Sequence, residues 1–146
     1  MKTPGSRADR DPQRNGTTVL NEAARALFEG PNIAHVATLL PDGGPHSVPV
    51  MIDVEGDHLA FFTSPDSRKG RNLAADDRIA ISVTDRENLV LSALVRGRVV
   101  KRVGGDEGWA IVDRIFAKYT GGPYPSREDR EAYLVEPEHV TVPTFG

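Results

Sequence analysis

The chain has 146 residues, of which 38% are hydrophobic and 27% charged, and this balance predicts one folded domain rather than a disordered chain. A net charge of −3 gives no general attraction to nucleic acid or to an anionic membrane, and no apolar run of about eighteen residues is present to span one. The absence of cysteine excludes disulfides, thiolate nucleophiles and cysteine metal sites.

The first 17 residues are polar and contain no apolar signal segment. We therefore expect a flexible tail over residues 1–17, a single domain over residues 18–146, and a cytoplasmic protein. On that expectation, the Asn15-Gly16-Thr17 sequon is a chance match rather than a glycosylation site.

A short helix and a hairpin are the first predicted elements. Residues 19–29 favour a helix that ends at Gly30-Pro31. Residues 33–40 and 46–54 have the pattern of two strands joined by a glycine-rich turn. The second run predicts a core face of Val48, Val50, Ile52 and Val54 and an opposite face of Ser47, Pro49, Met51 and Asp53. Because proline donates no ladder hydrogen bond, Pro49 indicates an edge strand, a bulge or a ligand contact.

The rest of the chain predicts four more strands and two more helices. The strands are expected at residues 58–63, 78–84, 89–103 and 139–143, and the helices at residues 67–75 and 106–119. Six short strands with three helices predict a mainly β fold, an antiparallel, Greek-key-like barrel, rather than a doubly wound sheet.

The run Ser67-Arg68-Lys69-Gly70-Arg71 begins the middle helix directly after a strand. An N-cap serine, cationic side chains and unpaired amides of a first helical turn together favour an anion such as phosphate. A solvated helix face is the alternative interpretation of the same charges.

Three motifs resemble the pyridoxamine 5′-phosphate oxidase-like split β-barrel proteins, and more narrowly their actinobacterial branch that uses the deazaflavin coenzyme F-420. They are Ala37-Thr38-Leu39 with Pro45-His46-Ser47-Val48-Pro49-Val50, then Phe62-Thr63 with Ser67-Arg68-Lys69-Gly70-Arg71-Asn72-Leu73, and Asp77-Arg78-Ile79-Ala80-Ile81-Ser82-Val83. The resemblance implies a six-stranded split barrel of the FMN-binding type that works as a homodimer with its cofactor between subunits.

The resemblance also implies the cofactor site. Contacts with the ring are implied for Ser47, Pro49, Val50 and Met51. Contacts with the phosphate or ribityl chain are implied for Thr63, Ser64, Arg68, Lys69 and Asn72. Met51, Trp109 and Phe116 are candidates for burial against the second subunit.

Two departures from the family pattern bear on the cofactor and substrate. Ser92 stands where FMN-binding members often have glutamine, five residues before Gly97, and this favours coenzyme F-420 over FMN. Residues 139–143 contain neither the tryptophan nor the arginine with which pyridoxamine phosphate oxidases hold their substrate, so a vitamin B6 oxidase is not expected. A groove for the anionic tail of F-420 is a further hypothesis for Arg71, Arg96, Arg98 and Lys101.

The sequence therefore leads to one principal hypothesis and two alternatives. The principal hypothesis is hydride transfer between reduced F-420 and an unsaturated or electron-poor small molecule. An FMN-dependent oxidoreductase and a non-catalytic flavin- or tetrapyrrole-binding protein are the alternatives. No catalytic side chain is assigned, although Tyr119 and Tyr124 are candidate proton donors, and the spacing of the four histidines predicts no metal site.

Overall fold

A computed structural model describes residues 20–143, so the expected tail at residues 1–17 lies outside the described residues. We number the elements in chain order as α1 Glu22–Glu29, β1 Ala34–Leu39, β2 Pro45–Val50, β3 Ile52–Glu55, β4 His58–Thr63, α2 Arg68–Ala75, β5 Arg78–Thr84, β6 Ser92–Val103, α3 Gly105–Thr120 and β7 Glu131–Thr141. No helix among these residues is long and apolar enough to cross a membrane.

The strands form one antiparallel sheet in the order β2-β1-β5-β6-β7-β4-β3. Strands β2 and β3 lie at opposite edges of this sheet, although only Met51 separates them in the chain. The sheet therefore curls until its two edges meet at Met51. This arrangement confirms the predicted mainly β, antiparallel barrel, and Pro49 lies in an edge strand as its missing donor suggested.

Residues 20–143 form seven strands rather than the six predicted, because the predicted run 46–54 is two strands divided at Met51. The last strand is also longer than predicted and begins at Glu131 instead of His139. Its irregular alternation has a structural cause. The ladder between β6 and β7 shifts register after Arg96 and again after Val99, which offsets the faces of β7.

Gly97 permits the closest approach within this ladder. A Cβ at Gly97 would lie 2.1 Å from the carbonyl oxygen of Glu136, so no other residue fits without moving the backbone of β7. The fifth predicted strand, which is β6, begins at Ser92 rather than Leu89, and the apolar residues 89–91 form the loop before it.

Two apolar clusters lie on opposite faces of the sheet. The barrel interior contains α1 and the inward side chains, among them Phe28, Phe61 and Tyr133. The second cluster packs α3 on the outer face of β4 and β7, where Ala60 and Ala132 meet Ile115. Helix α3 therefore covers one half of the outer face. The other half, formed by β2, β1, β5 and β6, presents mostly exposed side chains.

Candidate functional site

The beginning of α2 is a compact hydrogen-bonded turn. The Ser67 Oγ donates to the Ser64 carbonyl oxygen at 2.7 Å and accepts from the Gly70 amide at 3.0 Å. Since that hydroxyl has only one proton, the 2.9 Å contact with Thr63 Oγ1 is donated by Thr63. Ser67 is the predicted N-cap, and the amides of Arg68 and Lys69 are first-turn donors without helical acceptors.

Asn72 ties α2 to the sheet and orients Arg68. Its Nδ2 donates to Thr38 Oγ1 of β1 at 3.0 Å, and its Oδ1 accepts from Arg68 Nε at 3.1 Å. Asn72 and Thr38 are both buried. The family resemblance implies direct cofactor contact for Asn72. The structure gives it hydrogen bonds within the protein that fix the position of the Arg68 guanidinium.

The Lys69 side chain is half-buried, and its ammonium group forms no hydrogen bond with any of residues 20–143. Burial lowers the pKa of its ammonium group, and the nearby positive charge of Arg130 lowers it further. A desolvated cation beside a second cation is unfavourable unless an anion compensates both charges.

Two neighbouring cavities open on the uncovered half of the molecule and share Leu39 and Arg78 as lining residues. The sheet-face cavity, of about 350 Å³, lies over the small side chains Ala37 and Ala80 and is also lined by Arg96, Arg98 and His139. The helix-side cavity, of about 260 Å³, is lined by Arg68, Arg71 and Asn72 among others. Arginine is thus the recurrent charged residue of both cavities.

Several of these arginines already have acidic partners. Arg78 pairs with Asp76 at 2.7 Å, and its hydrogen bonds lower the pKa of that carboxyl to about 2. Arg98 pairs with Asp77 at 2.7 Å and with Glu138 at 3.3 Å. Of the residues proposed for an anionic groove, Arg71, Arg96 and Arg98 line the cavities, whereas Lys101 lines neither.

The sequence-predicted site residues occupy three adjacent places rather than one cavity. Ser47 and Pro49 are exposed on the outer face of edge strand β2, paired with Ala37 and His35 of β1. Val50 and Met51 are half-buried where the two sheet edges meet. The remaining five, Thr63, Ser64, Arg68, Lys69 and Asn72, surround the beginning of α2.

A polar clamp that the sequence analysis missed fixes the meeting point of the sheet edges. The Tyr119 hydroxyl donates to the Asn32 carbonyl oxygen at 2.6 Å and accepts from the Ile52 amide at 3.1 Å. The Lys118 ammonium donates to the carbonyl oxygens of Phe28 at 3.0 Å and Ile52 at 2.5 Å. Burial lowers the pKa of Lys118 and raises that of Tyr119.

Asp53 belongs to the same clamp. The alternation placed Asp53 on the face opposite the core, but α3 covers that face and Asp53 is buried, 9% exposed. It pairs with Arg114 at 3.1 Å and lies 3.6 Å from Lys118, which are both on α3. The sequence showed that Asp53 alternates with the core residue Val54. The local pattern could not show that α3, which is distant in the chain, covers Asp53.

Tyr124 anchors the loop of residues 121–130 on α3. Its ring contacts Phe116 at a centroid distance of 5.1 Å, Phe62 at 5.5 Å and Trp109 at 6.0 Å. Trp109 and Phe116, two of the residues expected to pack against a second subunit, are thus half-covered within the same chain. Neither Tyr119 nor Tyr124 lines either cavity.

The large apolar side chains that remain exposed lie elsewhere. Leu89 is 77% exposed, and the others are Ile33, Val90, Leu91, Leu94 and Val100. Leu94 is on the outer face of β6, paired with Ser82 of β5, and residues 89–91 are in the loop that leads into β6. The uncovered half of the sheet therefore continues into an apolar surface.

Comparison with known proteins places this chain in a family. The family model described as pyridoxamine 5′-phosphate oxidase matches residues 20–142. The pyridoxine/pyridoxamine 5′-phosphate oxidase of Mannheimia succiniciproducens is 36% identical over 120 residues, which are 82% of this chain and 53% of that protein. The same enzyme of Paraburkholderia xenovorans is 37% identical over 94 residues, 64% of this chain and 44% of that protein.

Solved structures give a consistent result. A structure named F420 reductase has a TM-score of 0.74 at 30% identity, and the match covers 84% of this chain and 98% of that structure's chain.

The chain spans about half the length of the curated relatives it matches. Because one family model covers nearly all the described residues, the chain belongs to the pyridoxamine 5′-phosphate oxidase family.

Proposed function

We propose that the protein is an oxidoreductase that transfers a hydride between reduced coenzyme F-420 and an unsaturated or electron-poor small molecule. The observation that carries this proposal is the cationic beginning of α2 within a fold that an F420 reductase shares over nearly its whole length. We expect a cytoplasmic enzyme.

The residues present fit the phosphoryl group of such a cofactor. Arg68 is held by Asn72 beside the helix-side cavity, and the first-turn amides of α2 add donors in the direction favoured by the helix dipole. His46, opposite Thr38 in the ladder, has a buried Nδ1 with no partner among residues 20–143. The Arg68 guanidinium and the first-turn amides are donors that suit a phosphoryl group.

A deazaflavin ring, when bound, supplies two-electron hydride chemistry by itself, so the protein has to bind, orient and shield it. We assign orientation of the ring to Ser47 and Pro49 on the outer face of β2 and to Val50 and Met51 at the meeting of the sheet edges. The small residues Ala37 and Ala80 leave a flat floor beside them. No side chain is assigned as the proton donor.

A homodimer completes the proposed site. The outer face of β2, β1, β5 and β6 lies open on one side, and the exposed Leu89 and Leu94 continue it. A second copy packed on this face would cover the apolar side chains and exclude water from the sheet-face cavity.

An FMN-dependent oxidoreductase is the second candidate function. It is favoured by the names of the relatives from Mannheimia and Paraburkholderia, which are pyridoxine/pyridoxamine 5′-phosphate oxidases. Both candidates use the same anion-binding residues, and they differ in the ring system that is bound.

Cofactor titrations test both candidates. Purified protein is titrated with F-420 and with FMN by fluorescence, and the oxidation of the preferred reduced cofactor is followed by absorbance as candidate acceptors are added. We expect F-420 to bind more tightly than FMN. Preference for FMN would select the second candidate, and binding without oxidation by any acceptor would favour a non-catalytic carrier.

A matched pair of variants tests the site. Arg68→Ala removes a charge-assisted contact, and we expect a loss of about ten- to a hundredfold in affinity. Arg102→Ala removes an exposed cation that pairs with Glu131, and we expect affinity to change by less than about twofold. Equal affinities of the two variants and the parent protein would remove α2 from the site.

A further inference from the structure

Lys69 and Arg130 form a pair of neighbouring cations beside the beginning of α2. Both side chains are half-buried, and the charge of Arg130 is close enough to act on the Lys69 ammonium. Lys69 lines neither cavity, whereas its neighbour Arg68 lines the helix-side cavity. The two adjacent cations of α2 therefore have different surroundings.

The sheet register places Arg130 beside the beginning of α2. Thr63 and Glu131 are paired at the end of the ladder between β4 and β7. Arg130, one residue before Glu131, therefore lies at the level of Ser64, where the chain leaves β4 and turns into α2. The backbone position of Arg130 is fixed by this ladder, so its approach to Lys69 does not depend on a freely moving loop.

The side chain of Arg130 is also held in place. Its guanidinium lies over the Tyr124 ring at 5.5 Å and donates to the Asp129 carbonyl oxygen at 3.1 Å. Tyr124 is itself anchored, because its amide donates to Asp113 Oδ1 at 3.0 Å and its ring packs on Phe62. The contact with the Tyr124 ring thus holds the Arg130 side chain in place.

Neither cation forms an ion pair with an acid among residues 20–143. Of the two acids that flank Arg130 in the chain, Glu131 pairs with Arg102 at 3.2 Å, and Asp129 contacts the Arg130 guanidinium through its backbone carbonyl oxygen only. Two partly desolvated positive charges without a counter-ion repel each other, and this repulsion is relieved when an anion binds between them. Proteins place arginine and lysine together in this way where phosphoryl groups are bound.

We propose that Arg130 is an anion-binding residue of the cofactor site, and that Arg130 and Lys69 together hold a phosphoryl group between α2 and the loop of residues 121–130. This inference rests on the proposed function, since it assigns that group to the bound cofactor. It adds to the site a residue from the far end of the chain, outside the run that begins α2.

The test compares Arg130→Ala with Arg86→Ala, which removes an exposed arginine whose side chain has no partner among residues 20–143. Affinities for F-420, FMN and inorganic phosphate are measured for each, phosphate being titrated at constant ionic strength. We expect Arg130→Ala to weaken binding of the preferred cofactor and of phosphate by about tenfold or more, and Arg130→Lys to recover part of it. Arg86→Ala should bind like the parent protein.

The outcomes separate this inference from the proposed function. If the parent protein binds a cofactor and Arg130→Ala binds it equally well, the role of Arg130 is refuted and the proposed function stands. If phosphate binds through Arg130 while neither cofactor binds, the anion site stands and the proposed function fails. If neither cofactor nor phosphate binds, both fail. Trp109 fluorescence and the thermal midpoint of Arg130→Ala report loosening of the loop, and a weak binder in which both are unchanged supports direct contact.

Discussion

Replacing Gly70 with alanine tests whether close packing at the beginning of α2 sets the geometry of the site. In most helices this change stabilises, by up to about 1 kcal/mol, because alanine has the higher helix propensity. At Gly70 a Cβ would lie 2.5 Å from the Ser64 carbonyl oxygen and 2.7 Å from that of Pro65. Both are backbone atoms, so α2 or the turn before it has to move.

The expected magnitude follows from two losses and one gain. Overpacking costs about 1–3 kcal/mol, and displacement of the Gly70 amide from Ser67 Oγ removes an N-cap bond worth about 1 kcal/mol. The gain in propensity offsets up to about 1 kcal/mol of this. We therefore expect Gly70→Ala to lower the free energy of unfolding by about 1–4 kcal/mol.

Urea unfolding at 25 °C measures this change, with Gly122→Ala as the matched control. A Cβ at Gly122 would have no atom within 4 Å, so that variant should be as stable as the parent protein. Cofactor affinity should fall in Gly70→Ala only. A Gly70→Ala protein at least as stable as the parent, with unchanged affinity, would refute the reasoning that this contact fixes the site.

Two further predictions concern the clamp and the dimer. Tyr119→Phe leaves the Ile52 amide and the Asn32 carbonyl without their partner, and we expect it to lose about 1–3 kcal/mol in urea unfolding. Burial raises the pKa of Tyr119 in the folded protein. The contribution of its neutral hydroxyl to the free energy of unfolding is therefore complete below about pH 10 and is lost as pH rises through the raised pKa. Above about pH 10, Tyr119→Phe should lose less stability with rising pH than the parent protein does. Leu94→Arg places a charge on the exposed sheet face, and light scattering should give a monomer mass for it and a dimer mass for the parent; identical masses would contradict the assigned interface.

The fold class was predictable because most strands alternate regularly. Along β5, Ile79, Ile81 and Val83 are buried, as the period of two requires. The break at Met51 was not predictable in the same way. Val48 to Val54 alternate without interruption, and the transfer of the chain from one sheet edge to the other follows from the long-range pairing of β1 with β5 and of β4 with β7.

The proposed site could be read from the sequence to the extent that its residues are close in sequence. The N-cap Ser67 and the cations after it form one local motif, and the structure has the expected cap. Arg130 had no such signal, because it is one of several charges in a polar loop and only the pairing of Thr63 with Glu131 brings it to α2. Asn72 belongs to the local motif, but the motif does not reveal that its side chain donates a buried hydrogen bond to Thr38.

Hydrogen bonds to the sheet explain how α2, a helix of only eight residues, can present its cations in fixed positions. A helix this short is marginal on its own in water, so its position depends on contacts with the sheet. Thr38 of β1 holds its middle through Asn72, and Thr63 of β4 holds its beginning through Ser67. Side chains that are held before a ligand arrives lose less conformational entropy on binding, and more of the interaction then contributes to affinity. The anion affinity that we propose for α2 therefore depends on its contacts with β1 and β4 as much as on its own charges.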